Sequence, residues 1–387
     1  MTVAHVLGFP RIGARRELKT ALERHWKGEL PEAVLRETGA ALRQRHWALQ
    51  RDAGLDLVTV GDFAWYDHLH NATALFSAAP ARFGLSGAVD LAGYFAMARG
   101  TTAQPALAMK KWFDTNYHYL VPEVGPDTRF ALNRDWLLPE VREAQALGHA
   151  VKVVLPSPLT WLWLAQGPAG FDKLRLLSLL LNAYWVLLGE LKALGVEWVQ
   201  IDEPILALDL PESWLQALPV VYRELASAGP KLLLATYFGG VAQHAERLGA
   251  LPVSGLHLDL VRGADQLSSF LADWPQDRVL SLGVIDGRNL WRANLVEVLI
   301  DLHRARETLG ERLWVSASCS LLHVPVDLRE ESRLDPQLRE WMAFAVQKLD
   351  EIATLKHALD EGEAAVWQAL HASAQVAQGR RQAPSTR

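Results

Sequence analysis

The sequence predicts an α/β protein: a (βα)8 barrel of the TIM type with extra amino-terminal helices and a long carboxy-terminal helical tail. Three observations carry this. Short runs rich in Val, Ile and Leu recur along the chain, each is followed by a longer helical pattern, and several end in polar residues. Continuous apolar runs of this length suit strands buried on both faces, as in a parallel sheet. Strand and helix alternating over most of a chain argue for α/β. Eight units favour a closed barrel over an open, doubly wound sheet.

The strand candidates, in order, are Val3–Phe9, Leu55–Val60, Val151–Leu155, Trp198–Ile201, Lys231–Thr236, Gly255–Leu260, Val279–Val284 and Leu313–Ser316. Residues 10–50 are charged and helical in pattern. Helices are expected from Pro211 to Ala228, from Val241 to Leu251 before Pro252, and from Leu290 to Leu309 before Gly310. The apolar run Leu174–Leu194 is interrupted by Ser178, Asn182 and Glu190, so it reads as a buried amphipathic helix and not a membrane span. Residues 336–370 form a helical tail. The closing GRRQAPSTR is polar, basic and Pro-containing, the composition of a linker. The expected division is a barrel domain over 1–370 and a linker or tail over 371–387.

The chain has 387 residues, half of them apolar, and a formal charge of −5. Mild acidity gives no reason to expect nucleic acid or an anionic membrane as partner. A single cysteine, Cys319, rules out an intrachain disulfide and a zinc site built from several thiolates. The opening residues lack a long apolar stretch and a small-residue cleavage site, so a cytoplasmic location is expected. Fifteen Trp against seven Tyr is unusual, and packing is the default reading for each Trp.

Residues at the strand ends include Gly61-Asp62, Ser157, Asp202-Glu203, Thr236-Tyr237, Asp259, Asp286 and Cys319. In a (βα)8 barrel the carboxyl ends of the strands face the site. Each such residue could equally cap the following helix, but seven strand ends together favour a site. Asp202 and Glu203 are adjacent on a strand and so point to opposite faces, which makes a cooperating pair improbable and one of them structural. Cys319 and His323 are four apart, compatible with a metal or nucleophile pair, although a lone free Cys usually behaves as a small buried hydrophobe.

Two motifs suggest anion binding. GFPRIGARRELKTALERHWKG (residues 8–28) gathers Arg11, Arg15, Arg16, Lys19, Arg24 and Lys27. On a helix, Arg16 and Lys19 would share a face. Arg offers forked donors to carboxylates and Lys a point charge. The competing reading is a solvated face paired with Glu17 and Glu23. Residues 110–119 (KKWFDTNYHY) mix cations, aromatics and polar groups densely, as a heterocycle-binding surface or an ordinary strand and turn would. Phosphate-loop, dinucleotide, His-Glu-x-x-His and Gly-x-Ser-x-Gly patterns are absent from the sequence. The residues therefore give an anion-binding barrel with no complete catalytic set.

LGFPRIGARRELKTALERHWKG, VGDFAWYDH, KKWFDTNYHYLVPE, WLWL, EWVQIDEP, ATYFGG, GLHLDLVRG, GVIDGRNLWR and SASCSLLHVPVDL follow one another along the chain. In content and order they resemble the amino-terminal domain of the cobalamin-independent methionine synthases. The resemblance spans nearly the whole chain. It implies one of two face-to-face (βα)8 barrels, in an enzyme that moves a methyl group from 5-methyltetrahydropteroyltri-L-glutamate to L-homocysteine. By the same resemblance Arg16, Glu17, Leu18, Lys19 and Lys111 contact the folate polyglutamate, with Arg15, Asp114, Asn116 and Tyr117 as accessory candidates.

The resemblance places the catalytic residues and the zinc, held by one His, two Cys and one Glu, in a carboxy-terminal barrel beyond this chain. By internal correspondence the strand with that barrel's His-x-Cys pair matches Ala235-Thr236-Tyr237, which has neither residue, and its last Cys ligand matches Cys319. The implied partner is that zinc-bearing barrel, in cis or in trans, and the implied resident cofactor of this chain is none. Two alternatives stand beside this: a non-catalytic subunit or degenerate paralogue pairing with a separate zinc barrel, and a stand-alone barrel enzyme using Cys319 and His323.

Overall fold

The computed structural model describes residues 1–85 and 87–383. Its strands are β1 (Val3–Ala4), β2 (Val58–Val60), β3 (Met109–Lys111), β4 (His118–Leu120), β5 (Val151–Pro156), β6 (Trp198–Asp202), β7 (Lys231–Ala235), β8 (Gly255–Asp259), β9 (Val279–Ile285) and β10 (Leu313–Ala317). All eight strands expected for the barrel are present. β3 and β4 are an addition, an antiparallel hairpin in which Lys111 faces His118. The (βα)8 class holds, with two amino-terminal helices, Glu17–Trp26 and Glu32–Asp52, and a helical carboxy-terminal tail.

The chain divides into two compact units. The first comprises Met1–Thr59, Tyr237–Ala245 and Leu256 onward; the second comprises Val60–Thr236 and Glu246–Gly255. Within the first, β1, β10, β9 and β8 follow in that order. Val3 pairs with Trp314, and Val315 with Leu282, in parallel ladders. Within the second the order is β7-β6-β5-β2, with Leu155 beside Ile201 and Ile201 beside Leu234, again parallel. β5, β6, β8 and β10 are buried at every position, as strands covered on both faces must be.

Helix boundaries shift where caps decide them. The third expected helix starts at Leu295, not Leu290, because Leu290–Arg292 instead run beside Trp341–Ala343: Arg292 N–H donates to Trp341 O and Ala343 N–H to Leu290 O. The expected helix at Val241–Leu251 is a 3-10 turn, Ala242–His244, followed by Ala245–Gly249.

The tail holds helices Pro336–Trp341, Ala345–Glu361 and Trp367–Gln382. The boundary expected at 370 therefore falls inside a helix. Leu370, Ser373, Val376 and Ala377 recur at helical spacing and are buried, which keeps that segment ordered through Gln382. The rest of the expected linker, residues 384–387, lies outside the described residues.

The apolar run after Lys173 is a 3-10 turn and then the helix Leu177–Ala193. By length and composition it could cross a membrane. Its buried face is Leu180, Leu181, Tyr184, Leu187, Leu188 and Leu191, while Leu179, Trp185 and Val186 are exposed.

Candidate functional site

The basic turn belongs to the first unit. Gly13 has φ +81°, and a Cβ there would lie 2.1 Å from Glu17 Oε2 and 2.8 Å from Leu42 Cδ2, so only glycine fits. Arg16 N–H donates to Gly13 O at 3.0 Å, closing the turn. Arg16 is the N-cap of helix Glu17–Trp26, and its own φ is 61°. The helix thus begins one residue after Arg16, and the shared helical face expected for Arg16 and Lys19 does not exist as such. Arg16 precedes the helix in a left-handed conformation, a position set by the Gly13 turn.

Leu18 is buried, while Arg15, Arg16 and Lys19 are exposed. Glu17 is a brace: Oε1 accepts from Arg45 Nη1 at 2.6 Å and Oε2 from Arg15 N–H at 3.0 Å. Partial burial pushes its carboxyl up, but Arg45 and the backbone donors outweigh that and hold it below its ordinary value. Arg15 Nε reaches Glu330 Oε2 at 3.0 Å, and Lys19 Nζ lies 3.8 Å from Glu23. Arg16 forms no ion pair among the described residues. An exposed, unpaired guanidinium held in a left-handed turn at a helix start is suited to an incoming anion.

The aromatic hairpin belongs to the second unit. Trp112 N–H donates to Tyr117 O at 2.7 Å, and Thr115 Oγ1 donates to Trp112 O at 2.6 Å, forming the turn between β3 and β4. Phe113 inside it has φ 51°. Trp112 is buried with the His68 ring 4.4 Å away, edge on. The Tyr117 hydroxyl accepts from His68 N–H at 3.2 Å, so Tyr117 supports the hairpin. Lys111, Asp114 and Asn116 are exposed on it.

The strand ends divide by unit. In the second, Glu203 is fully buried and accepts from Thr160 Oγ1 at 2.6 Å, from Tyr222 Oη at 3.0 Å and from Ser157 Oγ. Burial raises its carboxyl to about 7 against the downward pull of those three hydroxyls. On the other side of β6, Lys152 Nζ donates to Gln200 Oε1, and Gln200 Nε2 donates to Asp202 Oδ1 at 2.6 Å. Burial lowers the Lys152 ammonium, with Asp202 and Asp62 opposing. Sequence reasoning missed Lys152, hidden in the apolar run VKVVLP, and the Thr160 and Tyr222 hydroxyls that join Ser157 around Glu203. Gln200, two residues before Asp202 and so on the same face of β6, was the available signal.

In the first unit Asp259 accepts from Phe238, Val261 and Arg262 N–H at 2.9, 3.0 and 2.9 Å. Asp286 accepts from Arg288 and Asn289 N–H at 2.8 and 3.2 Å. These carboxylates hold loops, as caps do.

The expectation of a Cys319–His323 site fails on chemistry. Cys319 is fully buried. Burial, then Asp259 and Asp286, pushes its thiol well above the ordinary value, and Arg288 only partly opposes them. A thiol so placed is neither nucleophile nor metal ligand near neutral pH. Among the described residues no three His, Cys, Asp or Glu side chains converge on a point. These residues do not fit zinc.

The sequence profile of the cobalamin-independent synthase N-terminal domain matches residues 3–310. A Burkholderia thailandensis 5-methyltetrahydropteroyltriglutamate–homocysteine methyltransferase is 57% identical over 386 residues, covering 98% of this chain and 50% of the relative. The chain thus spans about half the length of the curated relatives it matches. A Listeria monocytogenes chain assigned to the vitamin-B12-independent methionine synthases shares the fold at TM-score 0.64 and 16% identity, covering 93% of this chain and 99% of that one. A Shewanella sp. W3-18-1 B12-independent methionine synthase, solved with selenomethionine, does so at TM-score 0.56 and 15% identity, with 89% and 92% covered. On the profile match and the 57% identity, the chain belongs to the cobalamin-independent methionine synthase family and corresponds to its amino-terminal domain.

Proposed function

We propose that this chain is the folate-polyglutamate-binding half of a methionine-forming methyltransferase. The whole enzyme moves a methyl group from 5-methyltetrahydropteroyltri-L-glutamate to L-homocysteine, in the cytoplasm. The methyltransferase activity of relatives 57% identical and about twice as long supports this reading. The observation that carries the binding role is Arg16, exposed, unpaired and left-handed at the start of helix Glu17–Trp26. A triglutamate tail presents several carboxylates on a flexible chain and calls for several separated cations. Arg16 and Lys19, on the first unit, supply two of them, and Lys111, on the second, is carried as a folate contact by the family resemblance alone. Arg16 forks to one carboxylate, while Lys19 and Lys111 act as point charges. Glu17 fixes the turn through Arg45 and Arg15, and Leu18 anchors the helix in the core. Arg15, Asp114 and Asn116 flank the two motifs, and Tyr117 holds the hairpin that carries Lys111.

The methyl-accepting thiol is activated elsewhere, in the carboxy-terminal barrel that this half partners. Zinc there would supply thiolate at neutral pH. This chain contributes no metal ligand, and alone it is expected to bind and not to turn over. Titration calorimetry with 5-methyltetrahydropteroyltriglutamate tests the reading. Wild type should bind the triglutamate more tightly than the monoglutamate. Arg16→Ala/Lys19→Ala should lose about 1–3 kcal/mol, and Lys111→Ala should lose part of that. Equal affinity for the two tail lengths would sink it.

A further inference from the structure

Lys173 opens the 3-10 turn before helix Leu177–Ala193, in the second unit. Helix Pro158–Leu164 ends beside it, and the last carbonyls of a helix have no partner within it. Lys173 Nζ donates to Trp163 O at 2.5 Å and to Ala165 O at 2.8 Å. The Tyr119 hydroxyl donates to Leu164 O at 3.5 Å. The Trp163 and Trp214 rings meet edge to face with centroids 5.0 Å apart, and Lys173 Nζ lies 5.9 Å from the first and 5.7 Å from the second. Trp214 is buried, whereas Trp163 and Lys173 are partly exposed.

Lys110 belongs to the same cluster. It pairs with Tyr119 across β3 and β4, and residues directly opposite share one face of a hairpin. Lys111 pairs with His118 and so takes the other face, which separates Lys110 from the folate-tail candidates. Lys110 is exposed, and neither it nor Lys173 forms an ion pair among the described residues. The neighbouring Asp172 uses Oδ1 to accept Leu174 N–H at 3.0 Å. Burial, then the Lys110 ammonium, lowers the Lys173 ammonium to about 8.

An ammonium has three N–H donors, and the two carbonyls use two of them. Losing the third proton costs neither bond and leaves a lone pair in the remaining position. We propose that Lys173 is an acylation site whose donor is an acyl phosphate, with Lys110 as the cation that receives the phosphate. The neutral amine attacks the acyl carbon. The C–N bond forms and the C–O bond to phosphate breaks. Phosphate leaves with that electron pair and takes up the amine proton. The product amide has one N–H for two carbonyls and no charge to set against the rings, so acylation uncaps the helix end that the hairpin rests on.

Acetyl phosphate is the probe, with labelling of the whole chain followed by peptide mass spectrometry. Near neutral pH, Lys173 should acetylate about tenfold or more faster than the exposed Lys192, because a lowered pKa leaves more of the amine neutral. Its rate should climb with pH to a midpoint near 8. Lys110→Gln should slow acetylation by acetyl phosphate several-fold and move that midpoint upward. The same variant should lose less with p-nitrophenyl acetate, an uncharged donor that needs no cation. The proposal is overturned if Lys173 labels no faster than Lys192, or if Lys110→Gln leaves the acetyl phosphate rate unchanged. Equal slowing with both donors also overturns it, since Lys110 would then make no contact with the phosphate.

Discussion

The two units treat the polar residues at their strand ends in opposite ways. In the second, Glu203 and Lys152 turn inward and are consumed by neighbours: Ser157, Thr160 and Tyr222 around one, Gln200 and Asp202 around the other. In the first, Asp259 and Asp286 spend their oxygens on backbone amides of loops whose tips, Phe238 and Arg288, stay partly exposed. Collecting acidic groups at a barrel mouth is therefore not enough to make a site. What matters is whether they bond to one another in the interior or hold something else in place.

The contrast breaks most readily at Glu203. Glu203→Ala should cost about 3 kcal/mol or more in urea unfolding, since it orphans three buried hydroxyls and leaves a cavity. A loss under about 1 kcal/mol would mean the network is not structural. Glu203→Gln sharpens the point through pH. The folded carboxyl titrates near 7 against an ordinary 4.5, so the folded state keeps a proton that the unfolded chain loses. Wild-type stability should fall as pH rises through that window, by up to about 3 kcal/mol. The Gln variant should show a flatter profile, read from melting temperatures between pH 4 and 8.

In the first unit, Asp259→Ala should cost about 2 kcal/mol by releasing three backbone donors, with amide exchange rising at Phe238 and Arg262. Exchange rising in the strands instead would make Asp259 a core residue like Glu203. The smallest effect belongs to Arg16. Arg16→Gly should stabilise by about 0.5–1 kcal/mol, because it relieves the left-handed backbone, while weakening triglutamate binding. Stabilisation without loss of binding would remove Arg16 from the proposed function.

Periodicity made the fold legible. VKVVLP, WVQID and LWVSA are buried along their whole length, and their spacing announced it. It could not reveal partners. Lys152 reads as an interruption in an apolar strand, and only the fold shows Gln200 Oε1 accepting from it. Nor did it reveal the true start of the first helix, which depends on Gly13 turning back on Glu17. The basic cluster was legible as charge, but its division into paired Arg15 and unpaired Arg16 is a matter of backbone geometry. The aromatic hairpin was legible as composition, whereas the exposure of all of β3, Lys111 included, and the bond from His68 N–H to the Tyr117 hydroxyl are visible only in the fold.

Cys319, the only thiol in the chain, is fully buried and held in its unreactive form. An alkylating reagent therefore has one target, and it reacts when the end of β10 opens. Labelling followed by mass spectrometry would act as a clock for opening of the first unit, with no engineered probe and no background from other sites.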